Sequence, residues 1–556
     1  MTLEPGQITR PERSIVLAWT AILLLVVAAP IWHGYLQAKA GWQFAGFVGR
    51  YHNDYHSYLA WIRQAFEGHV LFKNLFTTEP HGRLFFHPLF WLMGTACRVS
   101  GASVQAVWAI VHVLGCVLMI MSIYRFGAQF TGCRTVRLLA FVLATTATGF
   151  GWLTSPHDQT PWLQRSIDLW VVESNQLQAM MTSFFTLPIA LGLLLSTMVS
   201  ALRYMRTGNR RHIWCGGILG LALAAVHQYD MVTLYSVLAI WTLMAGTKRF
   251  RGMLVLVAIS MPYCLYSLAV VKYDPVMSQV SWDMRSPTVL SHVMGWGLPL
   301  LLCIASVVMP KIWRQNRDVS CLVAWLLAGV VLLCLPIAFA RKLMWGMHVP
   351  ICLLAAMGTV HLARAAVIPI QRRRWRQALT AAAVLIVVVC SAFGSVAFVT
   401  ELFRRNAEHQ WGDYLPESHL EAMRWIDEHS REGDAALATP DITPMLPGWT
   451  GITVFEGHWA QTIDQARKRE FAGTLFGATG SIDINEAARI LRRNRIRFIA
   501  MDRSSADRYD LTGPEFAFSS LADRVYDHDG FVIWKLKRDE KQSDEPSWTD
   551  RGWRDP

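Results

Sequence analysis

Tyr51–Pro88 reads "YHNDYHSYLAWIRQAFEGHVLFKNLFTTEPHGRLFFHP", with five histidines, three acids and three bases among its aromatics. It follows closely on an uncharged apolar run at 14–33 that has the length and character of a transmembrane helix. So polar a segment beside a bilayer has to be accounted for. It lies within a connection of about seventy residues, 34–102. Connections beyond roughly 12–15 residues are usually functional or disordered. Tyr58, Ile62, Ala65 and Phe66 recur at helical spacing, which argues for order.

Outward from this stretch, uncharged apolar runs recur near 103–124, 138–155, 180–202, 213–227, 231–247, 253–271, 291–310, 319–339, 343–363 and 378–400. With 14–33 they make eleven expected spans, because lipid offers no partner to an unpaired backbone group and helices satisfy theirs internally. The piece 84–101 is apolar but short and carries Pro88, so it is expected to lie at the interface rather than cross. Alternate connections gather twenty basic residues: Arg10, Arg13; Arg125, Arg134, Arg137; Arg203, Arg206, Arg210, Arg211; Lys248, Arg249, Arg251; Lys311, Arg314, Arg317; Arg364, Arg372, Arg373, Arg374 and Arg376. The opposite connections hold few bases. The positive-inside rule makes the basic side cytoplasmic, which puts 34–102 and everything after 400 outside.

The composition agrees. Of 556 residues, 53% are hydrophobic and only 17% charged, so a soluble protein is excluded. The net charge of +12 serves topology and does not indicate nucleic acid as a partner. No small-residue cleavage site follows 14–33, which is therefore expected to be retained. All ten cysteines precede residue 400 and none forms a CxxC pair, which disfavours a thiolate zinc site.

The expected organisation is a transmembrane domain at 1–400, an α/β domain at 401–537 and a disordered tail at 538–556. In the α/β part, helical patterns such as "ESHLEAMRWIDEHS" and "INEAARILRRN" alternate with strand patterns "DAALAT", "GITVFEG", "IRFIAMD" and "FVIWKLK". "EGHW" brings His458 to a loop edge after a strand, where α/β domains often hold ligands.

One span, a long outer loop with "NDYHSYLAWIRQAFEG" and "LFTTEPHGRLFFHPLFWLMG", a short amphipathic helix and many further spans resemble the GT-C class of membrane glycosyltransferases. "LPGWTGITVFEGHWAQTIDQARK" is similar to the tail domain of bacterial members. The resemblance implies transfer of a hexosyl or pentosyl unit from a polyprenyl-phosphate donor on the outer face of a bacterial inner membrane. The acceptor would be a glycan, lipid or protein, and membrane lipids would be partners. It also implies that Asp54, the acid of the first outer loop, is the catalytic base or a metal ligand. The chain shows Asn53-Asp54 where several subfamilies have two adjacent acids, and it lacks the WWDYG-type motif of oligosaccharyltransferases.

Such chemistry needs a base, a stabiliser for the departing phosphate, and a groove. Asp54 is the candidate base, its rival role being a helix N-cap. Glu173 in "WVVESNQ" is the candidate second acid, against a cap or rim charge. His52 and His56, four apart, can share a helix face as candidate substrate contacts, and with Asp54 could form a divalent-ion site for Mg or Mn. The bland alternative is three interfacial side chains. His227 and Asp230 in "HQYD" are candidate substrate contacts, with wet polar groups at a span end as the alternative. Arg341 and Lys342 interrupt an apolar run on the side where basic residues are disfavoured; a donor phosphate is their natural partner, lipid headgroups the alternative. A transporter or flippase would instead show matching halves, and no such repeat is present. A non-catalytic scaffold of the same fold would need none of these residues.

Overall fold

The structure, a computed structural model, describes residues 4–49, 51–153, 166–246, 249–280, 283–309, 318–477, 483–503 and 521–537. The tail at 538–556 and the basic positions Lys248, Lys311, Arg314 and Arg317 lie outside the described residues. The protein is a polytopic α-helical membrane protein with a small C-terminal sheet domain.

Each expected span is met by helix: Arg10–Gln37 (α1), Val104–Gly127, Arg134–Thr146, Thr186–Thr207, Arg211–Val226, Tyr229–Ala245, the pair Phe250–Ser260 and Pro262–Tyr273, Val289–Val307, Val319–Cys334, His348–Ala366 and Arg373–Ala407. Six described helices are long and apolar enough to cross a membrane, or seven if the pair counts as one span. Two of the expected spans are bent or cut short of their apolar runs, for identifiable reasons. Pro262 lacks an N–H and the pair bends there by 48°. The run expected to reach 339 leaves the helix after Cys334, because Leu335 precedes a proline and takes an extended backbone. Ala340–Met344 then forms a separate 3₁₀ turn before the next helix starts at His348.

By its contacts the chain divides into two compact units. Unit 1 comprises Met1–His33, Ala109–Tyr266 and Asp283–Ala407; unit 2 comprises Gly34–Trp108, Ser267–Trp282 and Glu408–Pro556. At the centre of unit 1 runs the almost wholly buried helix His348–Ala366, packed on Val289–Val307 and Arg134–Thr146. The helix Val289–Val307 is broken at Gly297, whose φ of +43° suits glycine and whose missing side chain admits Gly149 to close approach. Asp168 braces this break by accepting from the Gly149 and Gly151 amides, at 3.0 and 3.2 Å. At the start of α1, Glu12 is buried with Arg137 3.5 Å away and accepts from the Tyr124 hydroxyl at 2.9 Å. A buried charge is tolerable when so paired and bonded.

In unit 2, β1 (Trp42–Phe44) pairs antiparallel with β2 (Tyr414–Pro416). Strands β3 (Ala435–Ala438), β4 (Thr453–Val454), β5 (Ile496–Asp502), β6 (Ala522–His528) and β7 (Phe531–Leu536) form one mixed sheet in the order β4-β3-β5-β7-β6. The two-residue side-chain period divides β5 between two cores: Phe498 and Ala500 face one, Ile499 and Met501 the other. The first of these cores is completed by Ala60, Leu75 and Phe76 of the outer loop. The loop and the C-terminal α/β segment therefore share a hydrophobic core.

Two helices of the outer loop belong to the same unit, α2 (His52–Phe66) and α3 (Pro88–Ser100). Helix α3 starts on a His87 cap with proline at its first position and stops at Gly101 in the left-handed conformation. It lies against α2 where Gly94 would, with a side chain, run into the Ile62 carbonyl. Leu92 and Val99 stay exposed on its outer side, the pattern expected of an interfacial helix. Arg63 fastens α2 to the α/β segment: Nη2 lies 2.8 Å from Asp427, Nε lies 2.7 Å from Glu67, and Nη1 donates to the Trp449 carbonyl.

Candidate active site

The polar residues singled out by sequence gather in two clusters, one in each unit. In unit 2 the centre is Asp54. Helix α2 begins at His52 with Tyr51 as its N-cap and no side-chain cap bond, so Asp54 sits inside the first turn and does not cap it. A carboxylate there is still favoured by the helix dipole. Its nearest polar partner among the described residues is His458, with Nε2 3.7 Å from Oδ1. About a third of the Asp54 side chain remains accessible, whereas His458 is fully buried. The expectation that His458 lies at an open loop edge is therefore corrected: the segment after β4 folds inward, and the imidazole packs edge-on to Phe76.

The geometry around His458 also determines its tautomer. Nδ1 accepts from the Ala460 and Gln461 amides at 3.1 and 3.3 Å, so a neutral ring carries its proton on Nε2, facing Asp54. Gln461 in turn donates to Ser57 on α2 at 2.5 Å, and Asn74 donates to the Gln461 carbonyl at 2.7 Å. Histidine and carboxylate are thus held by interlocked loops some 400 residues apart in sequence. A half-open carboxylate held against an oriented N–H can take up a proton from a bound hydroxyl.

The neighbouring histidines have other surroundings. His52 Nε2 is 3.7 Å from Asp413, which also receives the Gly49 amide at 3.1 Å. His56 is buried against Phe47 with neither ring nitrogen bonded, and burial pushes its pKa down to about 3, so it stays neutral. The expected ligand set of His52, Asp54 and His56 does not converge. His52 and His56 both lie against Phe47 while Asp54 turns to His458, and no three His, Cys, Asp or Glu among the described residues are grouped to hold a metal ion. Among the described residues these three side chains do not form a ligand set for a divalent cation.

In unit 1 the cluster is built on short turns. The 3₁₀ turn Ala340–Met344 carries Arg341 and Lys342 and packs on the 3₁₀ turn Val172–Ser174, which carries Glu173, and on the helix starting at Tyr229. The Arg341 guanidinium lies over the Trp170 ring at 5.3 Å, and the Lys342 ammonium over Tyr229 at 4.7 Å. A cation over an aromatic face is held there by the ring's quadrupole. Arg341 Nε is buried without a hydrogen bond, as is Glu173 Oε2. His227 Nδ1 and Asp230 Oδ2 are 3.2 Å apart, but neither carboxylate oxygen of Asp230 makes an aligned hydrogen bond.

Sequence reasoning missed Trp170, Tyr229 and Asp413. Tyr229 lies within "HQYD" and Asp413 within "WGDY", but nothing local marks either as a partner of a distant cation or imidazole.

No family model matches the chain, and no curated protein matches it by sequence. Solved structures do match. Arabinofuranosyltransferase AftD from Mycobacteria is similar over 97% of this chain at 14% identity and a TM-score of 0.57; this chain spans 41% of that one. The Archaeoglobus fulgidus oligosaccharyltransferase, solved with Zn and sulfate, is similar over 92% of this chain and 73% of its own, at 11% identity and 0.51. ArnT from Cupriavidus metallidurans, bound to undecaprenyl phosphate, covers 93% and 98% of the two chains at 12% identity and 0.47. The chain has the fold of the GT-C glycosyltransferases.

Proposed function

We propose that the chain is a GT-C-type glycosyltransferase that moves a hexosyl or pentosyl unit from a polyprenyl-phosphate donor to a glycan, lipid or protein acceptor. The reading places it in a bacterial inner membrane, with the N-terminus cytoplasmic and the C-terminal α/β domain on the outer face. The twenty basic residues of alternate connections support that orientation. The observation that carries the reading is Asp54 paired with His458: an accessible carboxylate against a buried imidazole of fixed tautomer.

In this reading Asp54 takes the proton of the acceptor hydroxyl as its oxygen attacks the anomeric carbon. The bond from that carbon to the phosphate oxygen breaks, and the phosphate leaves with the electron pair. Arg341 and Lys342 offset the charge that gathers on it, and cations already fixed in place act most strongly where charge develops. Glu173, His227 and Asp230 supply acceptors for donor-sugar hydroxyls. His458 is a positioning residue that orients the base.

The test is an assay of the purified chain against a panel of polyprenyl-phosphate sugars, following donor hydrolysis or transfer. Asp54→Asn should abolish turnover at unchanged thermal stability. Failure of the wild type to consume any donor would favour a transport or scaffold role for this fold.

A further inference from the structure

Unit 2 carries a second feature that the reaction above does not use. Between the 73–81 stretch of the outer loop and the α/β segment lies a cavity of about 710 Å³. That is the size of a ligand site, roughly 300–1,000 Å³. Lys73, Arg467, Lys468, Arg493 and Arg495 line it, against the carboxylates of Glu79 and Asp464. Glu79 is already engaged by Lys468 at 2.8 Å, so the uncompensated charge is strongly positive. The side chains of Arg467, Arg493 and Arg495 are exposed and make no hydrogen bond or ion pair with a described residue. Lys73, half-buried, has its pKa lowered by burial and by Arg83 beside it. Like charges gathered around one concavity repel unless an anion joins them.

We propose that this pocket binds an anionic glycan, one bearing carboxylate or phosphate groups, and that this glycan is the acceptor. Two observations favour a glycan over a bare anion or a headgroup. Phe471 lies in the wall, edge-on to Phe455 at 5.5 Å, and offers an apolar surface to the hydrogen-bearing face of a sugar ring. Thr78 and Asn494, bonded to each other at 2.6 Å, add neutral polar groups suited to hydroxyls.

The loops that wall the pocket are hydrogen-bonded to the segment that carries His458. Thr77, which lines the cavity, accepts from the Lys468 ammonium at 3.0 Å and from the Ile463 amide at 3.2 Å. Ile463 follows His458 by five residues in the same segment, and Asn74 adjoins Lys73 while bonding Gln461. A glycan seated in the cavity would thus be held by the loops that hold the base. Its role as acceptor rests on the glycosyltransferase reading; its binding does not.

The experiment uses the full chain in nanodiscs of zwitterionic lipid. Trigalacturonate, a neutral maltotriose and inorganic phosphate are titrated separately, at low and high salt. Trigalacturonate is expected to bind and to weaken steeply with salt, maltotriose not to bind, and phosphate alone to bind far more weakly. Arg467→Gln combined with Arg493→Gln, at exposed positions, should weaken trigalacturonate at least about tenfold, or about 1.4 kcal/mol, with the unfolding temperature unchanged. Phe471→Leu should weaken trigalacturonate but not phosphate. Equal binding of maltotriose, equal binding of phosphate, or indifference to the double variant would overturn the proposal. Asp54→Asn should bind trigalacturonate as the wild type does. A wild type that binds trigalacturonate but turns over no donor would sink the transferase reading and leave the pocket standing. A wild type that turns over donor but binds no anion would do the reverse.

Discussion

The two polar clusters differ in what holds their central groups in place: backbone amides around His458, aromatic rings beneath Arg341 and Lys342. In unit 2 the imidazole of His458 has its Nδ1 held by two backbone amides and the loops around it are bonded to one another and to α2, although His458 Nε2 and both His56 nitrogens make no hydrogen bond. In unit 1 the cations rest on rings, and Arg341 Nε, Glu173 Oε2 and both Asp230 oxygens are left without hydrogen bonds. Buried polar groups are ordinarily paired, and leaving one unpaired costs on the order of 1–3 kcal/mol. The contrast teaches a division of work. In the proposed reading Asp54, the proton acceptor, is already set against a fixed imidazole before any ligand arrives. In the proposed reading a donor phosphate completes the unit 1 cluster.

The sharpest break of this contrast is Asp54→Asn. Loss of a general base should lower turnover by about 10²–10⁴-fold with folding unchanged, since Asn also suits a helix first turn. Steady-state rates and thermal unfolding on the same preparation check it. Full activity would remove Asp54 as the base and leave the unit 2 cluster without a chemical role.

Next in size is Arg341→Ala, expected to cost about 10²–10³ in rate. Arg341→Lys should recover only part, because a lysine lacks the bidentate fork. If lysine restores the full rate, the site needs charge alone. If alanine lowers stability and not turnover, the cation serves packing, and the claim that unit 1 waits for its ligand fails.

Arg63→Met tests how firmly unit 2 is organised. It strands Asp427 and Glu67, both partly exposed, so about 2–3 kcal/mol of stability should go, read by chemical denaturation. Loss below about 0.5 kcal/mol would mean that the shared core, not the ion pair, orients α2.

The smallest effect is a pH dependence. His56 is neutral in the folded chain, with its pKa held near 3 by burial and by nearby His52, while the unfolded chain takes up a proton near 6.5. Stability should therefore fall as pH drops below about 6.5, by about 2 kcal/mol at pH 5 from this group. His56→Leu should flatten the slope between pH 6.5 and 4 in thermal unfolding. An unchanged slope would assign it to other groups.

Much of the fold was legible in the chain. Each of the eleven uncharged apolar runs coincides with helix, because the cost of an unpaired backbone group in lipid favours it, although only six or seven of the described helices are long and apolar enough to cross. Proline positions such as Pro262 and Pro336 mark where those helices break or stop short. The strand patterns of β3, β5 and β7 were equally plain, since a half-buried or buried strand writes its period into its own residues. Candidate chemistry was legible too, as residue types out of keeping with their surroundings: Asp54 after a span, Arg341 and Lys342 within an apolar run. Their partners were not. His458 meeting Asp54, Asp413 meeting His52, Trp170 beneath Arg341 and Tyr229 beneath Lys342 are pairings over 113 to 404 residues, and periodicity says nothing at such range. The inward turn that buries His458, the shared core of the outer loop and the α/β segment, and the gathering of five cations at one cavity depend on packing between distant segments. Local preference chooses helix or strand from neighbours a few residues away. Which faces then meet is decided by the burial of the whole chain, and only the tertiary structure records it.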